Sequence, residues 1–173
     1  MHVYPATKIP GWIKELVLSF CLVCTACQCN FTRNKPQEKD LVGTYALDKK
    51  SREFVRSKGH YSQTTSTIAL FSDGTIVLKN VPDWWMDGFG YSHGGYDSAS
   101  GKWQVWAYYR SWGLRLDFKS TQGFSSTFAK NQGGFTTEMM LTGQYPPYKI
   151  YLRVGDPDND EGMEFEKFSP SPE

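Results

Sequence analysis

Between Leu41 and Phe168, apolar side chains fall on alternate positions in eight short runs. A period of two is what a strand with one dry face and one wet face requires. The sharpest instance is Ile68-Ala69-Leu70-Phe71, then Ser72-Asp73-Gly74-Thr75, then Ile76-Val77-Leu78. An Asp-Gly pair between two alternating arms predicts a tight hairpin. The other runs cover 41–47, 103–109, 114–118, 135–142, 148–154 and 163–168. Most links between them are too short for a crossover helix, so neighbours in sequence are expected to pair antiparallel. A meander of that length leaves two edges unless it curls shut. The expectation is therefore all-β, an antiparallel up-and-down meander over 41–169 closing into a barrel of about eight strands. An open or split β-sandwich is the alternative. Eight strands leave an interior wide enough for side chains or for one small ligand.

Composition agrees with short strands and tight loops: aromatics make up 16%, with Gly 16 and Pro 9. No long stretch keeps a helical period. Ser51 to Lys58 reads as one or two helical turns, with Ser51 as N-cap, Phe54 and Val55 as anchors and Gly59 as the stop. Ser111-Trp112-Gly113 and Gly143-Gln144-Tyr145-Pro146-Pro147 read as turns, and 119–134 as a polar loop.

The cysteines are Cys21, Cys24, Cys27 and Cys29, so none lies in the body of the chain and no disulfide framework staples it. Cys24-x-x-Cys27 has redox or metal spacing, yet zinc needs four donors and residues 21–29 hold no histidine. Lys8 and Lys14 precede an uncharged, mostly apolar run from Leu16 to Ala26, the length of a signal h-region and too short to span a bilayer. The run ends in Thr25-Ala26-Cys27, which resembles the lipobox of bacterial lipoproteins, with Cys24 standing where that family usually has Leu. That resemblance implies a signal peptide over 1–26 and lipidation of Cys27. A plain secretory signal, an uncleaved anchor and a buried first element are the alternatives. Acyl chains at about 0.8 kcal/mol per buried CH₂ hold a protein on a membrane without a spanning helix. The expected address is the cell envelope, on its periplasmic or surface face, with the membrane as partner. Residues 27–40, polar and mixed in charge, read as a tether. Setting aside Lys8, Lys14 and Glu15 from 19 basic and 18 acidic residues leaves seventeen of each. A balanced chain without a basic run argues against nucleic acid as a partner.

Several pieces occur together in order: Asp40-Leu41-Val42-Gly43-Thr44-Tyr45, Asp73-Gly74-Thr75, Gly101-Lys102-Trp103, Gly155-Asp156-Pro157-Asp158, and Gly162 with Met163-Glu164-Phe165-Glu166-Lys167. In this the chain resembles small uncharacterised bacterial lipoproteins with a lipocalin-like barrel. Gly43-Thr44-Tyr45 stands where lipocalins proper open with Gly-x-Trp. The resemblance implies a lipid-anchored β-barrel and carries no catalytic residues.

Chemistry-bearing motifs are sparse. Asp156-Pro157-Asp158-Asn159-Asp160-Glu161-Gly162 alternates oxygens like a calcium loop, but an EF-hand frame counted from Asp156 puts Glu161 where Gly belongs and Lys167 where a bidentate Glu belongs. An acidic turn is the simpler reading. His60 and His93 have no ligand spacing, and Ser92-His93 with Asp83 or Asp87 forms no nucleophile elbow. No catalytic residue, metal or cofactor is expected, and the protein reads as non-enzymatic. The remaining feature is the aromatic loop from Pro82 to Ser100 and the strand after it. Trp84, Trp85, Tyr91, Tyr96 and Trp106 are the candidate binding residues, since rings supply area and stacking at low entropic cost. The expected function is binding of a small apolar or amphipathic ligand near this loop. The alternative is a structural or protein-interaction module of the envelope whose barrel is filled.

Overall fold

A computed structural model of the chain describes residues 30–58, 65–83, 95–120, 123–124, 134–154 and 161–168. After a single helical turn, α1 (Glu38–Leu41), come β1 (Gly43–Leu47), helix α2 (Lys49–Ser57), β2 (Thr67–Leu70) and β3 (Thr75–Lys79). Next are β4 (Val81–Pro82), β5 (Tyr96–Asp97), β6 (Ser100–Tyr108) and β7 (Ser111–Phe118). β8 (Phe135–Thr142), β9 (Lys149–Arg153) and β10 (Gly162–Lys167) complete the chain. Eight of these strands form a closed barrel in the order β1-β10-β9-β8-β7-β6-β3-β2, every pair antiparallel. The eight alternating runs of the sequence are those eight strands, and closure pairs both edges of the meander.

Alternation decides what faces inward. β2 and β3 bury Ile68, Leu70, Ile76 and Leu78; β7 buries Leu114, Leu116 and Phe118. Met139, Leu141, Ile150, Leu152, Met163 and Phe165 do the same from β8 to β10. Trp103 is core, and its indole N–H donates to the Phe71 carbonyl at 3.1 Å. The central hairpin forms as its Asp-Gly pair predicts. Gly74 takes φ +74°, and the Asp73 carboxylate accepts the Thr75 N–H at 2.8 Å. That bond holds the Asp73 carboxyl below the usual aspartate range.

Three local expectations change. The reversal between β6 and β7 lies at Tyr109-Arg110, with Tyr109 at φ +49°, so Ser111-Trp112-Gly113 is strand. Gly113 serves close packing there, because a Cβ would collide with the Met139 carbonyl oxygen of β8. Helix α2 starts earlier than read, and its cap is Asp48, whose carboxylate accepts the Ser51 N–H at 2.7 Å. Ser51 is instead buried inside the helix, its hydroxyl accepting the Glu164 N–H at 2.8 Å and tying α2 to β10. Replacing Asp48 with Ala is expected to cost about 1 kcal/mol, the usual value of an N-cap side chain. Urea denaturation at neutral pH checks this, and a loss of zero would mean water replaces the cap.

The polar segment 30–40 is held to the barrel by backbone bonds. Thr32 wedges between β7 and β8: its N–H donates to the Leu141 carbonyl at 2.9 Å, and its carbonyl accepts the Trp112 N–H at 2.8 Å. Its hydroxyl donates to the Gly143 carbonyl at 2.7 Å. Pro36 and Leu41 are buried where the segment crosses toward β1. Such bonds use main chain, which every residue carries, so a polar composition does not disclose them.

The barrel has two unlike ends. One carries the tight reversals β2–β3, β6–β7 and β8–β9 together with the start of β1 and the end of β10, and the segment 32–41 crosses it. The other carries the long links, including α2 and the β4–β5 ribbon. Beneath the crossing segment, the Tyr45 hydroxyl donates to the Leu41 carbonyl at 2.7 Å, and burial pushes this phenol well above the ordinary tyrosine range. An unfolded tyrosine ionises near about pH 10. Above that pH the unfolded state has released a proton the folded state keeps, so stability falls as pH rises; below it this group contributes no slope. The urea midpoint is expected to drop between about pH 10 and about pH 11.5, and less steeply in Tyr45→Phe. Identical slopes for the two proteins would show that the phenol is not the group responsible.

Candidate functional site

The ribbon β4–β5 gathers the neck of the aromatic loop. Val81 pairs with Asp97 and Pro82 with Tyr96, while the Asp83 N–H donates to the Gly95 carbonyl at 3.1 Å. Asp83 and Gly95 are thereby held side by side at the long-loop end of the barrel. Trp84, Trp85 and Tyr91, the centre of the expected site, lie outside the described residues, as do Cys27, His60, Asp87, Ser92, His93 and residues 155–160. Tyr96 is half-buried against the core. Asp83 and Asp97 are both buried on this ribbon, and each has a bonded or electrostatic partner. The Ser98 N–H donates to the Gly123 carbonyl at 2.7 Å, bringing the ribbon beside a ring cluster. In that cluster Phe118, Phe124 and Phe135 have centroids 4.9 to 5.3 Å apart.

Trp106 stands elsewhere. It projects from the outer face of β6, and six residues of strand from Ser100 carry it about 20 Å from the ribbon. The fold thus separates Tyr96 from Trp106. On the outer face the register sets Trp106, Gly113, Met140 and Tyr151 side by side across β6 to β9. Gly113 has no side chain to fill its place in this row, and the Arg115 guanidinium lies 4.6 Å from the Trp106 ring centroid. A cation so placed is held by the negative face of the ring. Arg115 faces Glu138 in register, and a shallow groove of about 530 Å³ runs past Tyr108, Arg115, Met140, Tyr151 and Arg153. Phe31 packs edge-on to Tyr151 at 5.7 Å.

Beyond Tyr151 a second groove of about 460 Å³ lies between α2 and β10, floored by Ser51 and Glu164. Lys149 bonds Glu164 at 3.1 Å and sits 3.8 Å from Asp48. Desolvation pulls the Lys149 ammonium down, but the bond to Glu164 and the nearby carboxylates outweigh it and leave the group raised. Lys58 pairs with Glu161 at 3.4 Å, so the last oxygen donor of the acidic turn is engaged by a cation. Among the described residues no three His, Cys, Asp or Glu side chains group to hold a metal, and no helix is long and apolar enough to cross a membrane.

The outer groove escaped the sequence. Arg115 and Tyr151 are visible as outward positions of alternating strands, but only the cross-strand register makes them neighbours of Trp106 and Met140. Fold and groove together define an eight-stranded up-and-down β-barrel with a buried apolar core and a chemically mixed outer face. No family model, no curated protein and no solved structure matches the chain.

Proposed function

We propose that the protein is a non-enzymatic, lipid-anchored component of the cell envelope that works through the outer surface of its barrel, the interior serving as a filled scaffold. The observation that carries this reading is the set of inward side chains from Tyr45 to Phe165, which are large and buried. A barrel of eight strands is small enough for such side chains to occupy the space a ligand would need. The Trp106–Arg115 pair and its groove then supply the kind of surface partner proteins use, since Trp, Tyr, Met and Arg are enriched at interface centres.

A second reading keeps a small apolar or amphipathic ligand at the aromatic loop. It is favoured by the half-buried Tyr96 and the Phe118–Phe124–Phe135 cluster beside the loop neck, an apolar floor at that end. Native mass spectrometry of the full-length protein from membranes separates the two. The first reading expects the chain plus its acyl groups and nothing else, with a photo-crosslinker at position 106 capturing one envelope protein in cells and Arg115→Ala abolishing the capture. A stoichiometric small molecule that Trp84→Ala/Trp85→Ala removes would overturn the first reading in favour of the second.

A further inference from the structure

Aromatic side chains that a folded chain leaves in water usually scatter. Here they do not. Among the described residues the large apolar side chains with the greatest exposure are Tyr109 at 95%, Tyr145 at 77%, Phe168 at 59% and Phe71 at 48%. Tyr109 is the β6–β7 reversal, Tyr145 lies in the β8–β9 turn, Phe71 opens the β2–β3 turn, and Phe168 follows β10. All four therefore stand at the tight-turn end, with Trp106 and Tyr108 on the strand leading up to it. None of the exposed large apolar side chains among the described residues belongs to the long-loop end.

A ligand mouth does not account for them, because the segment 32–41 crosses this end and buries Leu41 and Pro36 beneath it. That segment also sets where the chain comes from. The Asn30 carbonyl accepts the Gly143 N–H at 2.8 Å, and the Gln144 amide donates to the Asn30 side chain at 3.3 Å, so residue 30 is fastened beside the turn that carries Tyr145. Cys27 precedes Asn30 by three residues, a length of chain that reaches no more than about 11 Å in any conformation. The same end exposes the cations Arg33, Lys35, Lys39 and Arg110, against the exposed carboxylates of Glu38 and Asp73.

We infer that the tight-turn end of the barrel is a membrane-contact face, resting on the interfacial region of an anionic phospholipid bilayer with Phe71, Tyr109, Tyr145 and Phe168 at headgroup depth. This rests on the reading of Cys27 as an acylated residue, and it adds an orientation that the reading alone does not contain. A short leash brings this end of the barrel to the surface. Aromatic rings, apolar in body and polar at the tip in Tyr, are the side chains that settle at a lipid–water boundary. The surplus of lysine and arginine complements anionic headgroups. The barrel axis then stands away from the bilayer. The β4–β5 ribbon faces the aqueous space, and the Trp106 groove stands on the flank.

The test uses the acylated full-length protein in a Cys29→Ser background, reconstituted into phosphatidylethanolamine–phosphatidylglycerol vesicles that carry nitroxide-labelled lipid. Single environment-sensitive fluorophores are placed through Tyr109→Cys, Tyr145→Cys or Glu53→Cys, the last on α2 at the far end. Labels at 109 and 145 are expected to shift to the blue, to lose most of their emission to the lipid-borne nitroxide and to resist aqueous iodide. The label at 53 should do the reverse. Equal quenching at all three positions overturns the orientation. So does protection of 109 and 145 from iodide without quenching by lipid, the result if a second copy or another protein covers this end. Palmitate incorporation and vesicle flotation are read on the same samples. Acylated, floating protein with wet labels at 109 and 145 defeats the orientation alone, whereas absence of acyl groups at Cys27 defeats the anchor and the orientation together.

Discussion

Truncating Phe118 to alanine is expected to cost about 3–5 kcal/mol, the range for removing a buried aromatic ring. Phe118 is fully buried at the long-loop end of β7. It stacks on Phe135 at 5.3 Å and meets Phe124 edge-on at 5.1 Å, so its loss takes one ring contact from each and leaves them only the contact with each other at 4.9 Å. The backbone of Gly101 lies against the same ring, close enough that a Cβ there would stand 2.7 Å from it. A rigid strand on one side and two rings on the other leave little room for collapse, which places the cost toward the upper part of the range. A domain of this size has about 5–15 kcal/mol in all, so the variant should sit near the limit of folding. Urea denaturation followed by tryptophan fluorescence and far-UV circular dichroism measures it. A loss below about 1 kcal/mol would show that the cluster relaxes freely and that this end of the barrel is not closed by ring packing.

Replacing Cys27 with serine is expected to have the largest effect of any single substitution on where the protein resides. Each long acyl chain contributes on the order of 10 kcal/mol of transfer free energy at about 0.8 kcal/mol per CH₂. The removal of two or more abolishes stable anchoring. The expected result is complete loss of palmitate label and departure of the protein from the membrane fraction, with the folded domain unchanged by circular dichroism. Unchanged labelling would transfer the modification to Cys29 or dismiss the lipoprotein reading, and Cys29→Ser in parallel tells which. Aromatic and basic contacts at the tight-turn end are expected to leave the soluble variant with only weak, salt-sensitive affinity for anionic vesicles.

The strands were legible because their information is local. A period of two needs only a few consecutive residues to show itself, and every alternating run from Leu41 to Phe168 is a barrel strand. The Asp73-Gly74 turn was legible for the same reason, since the left-handed conformation at Gly74 is chemistry of that residue. Ser51 shows the limit. It and Asp48 are both good caps, and the choice fell to Asp48 because Ser51 was drawn into a bond with the Glu164 backbone, more than a hundred residues away in sequence. Gly113 was misread in the same way, as a turn glycine, when the constraint on it comes from the neighbouring strand. The candidate site divides along this line too. Trp106 and Tyr96 stood out as aromatics in one stretch, but a rising strand parts them by about 20 Å. Trp106 gains Arg115, Met140 and Tyr151 as neighbours through register alone.

By itself the sequence determined the all-β class, the alternating strands and the antiparallel pairing of neighbours, because each follows from short-range periodicity and from links that are mostly too short for a crossover. Only the tertiary structure decided that the inward side chains pack into one buried cluster, that residues 30–40 are bound to the barrel, and that the exposed aromatics among the described residues gather at one end. Those properties are sums over contacts between residues far apart in the chain. Closure of the sheet brings them together, and no local pattern records them.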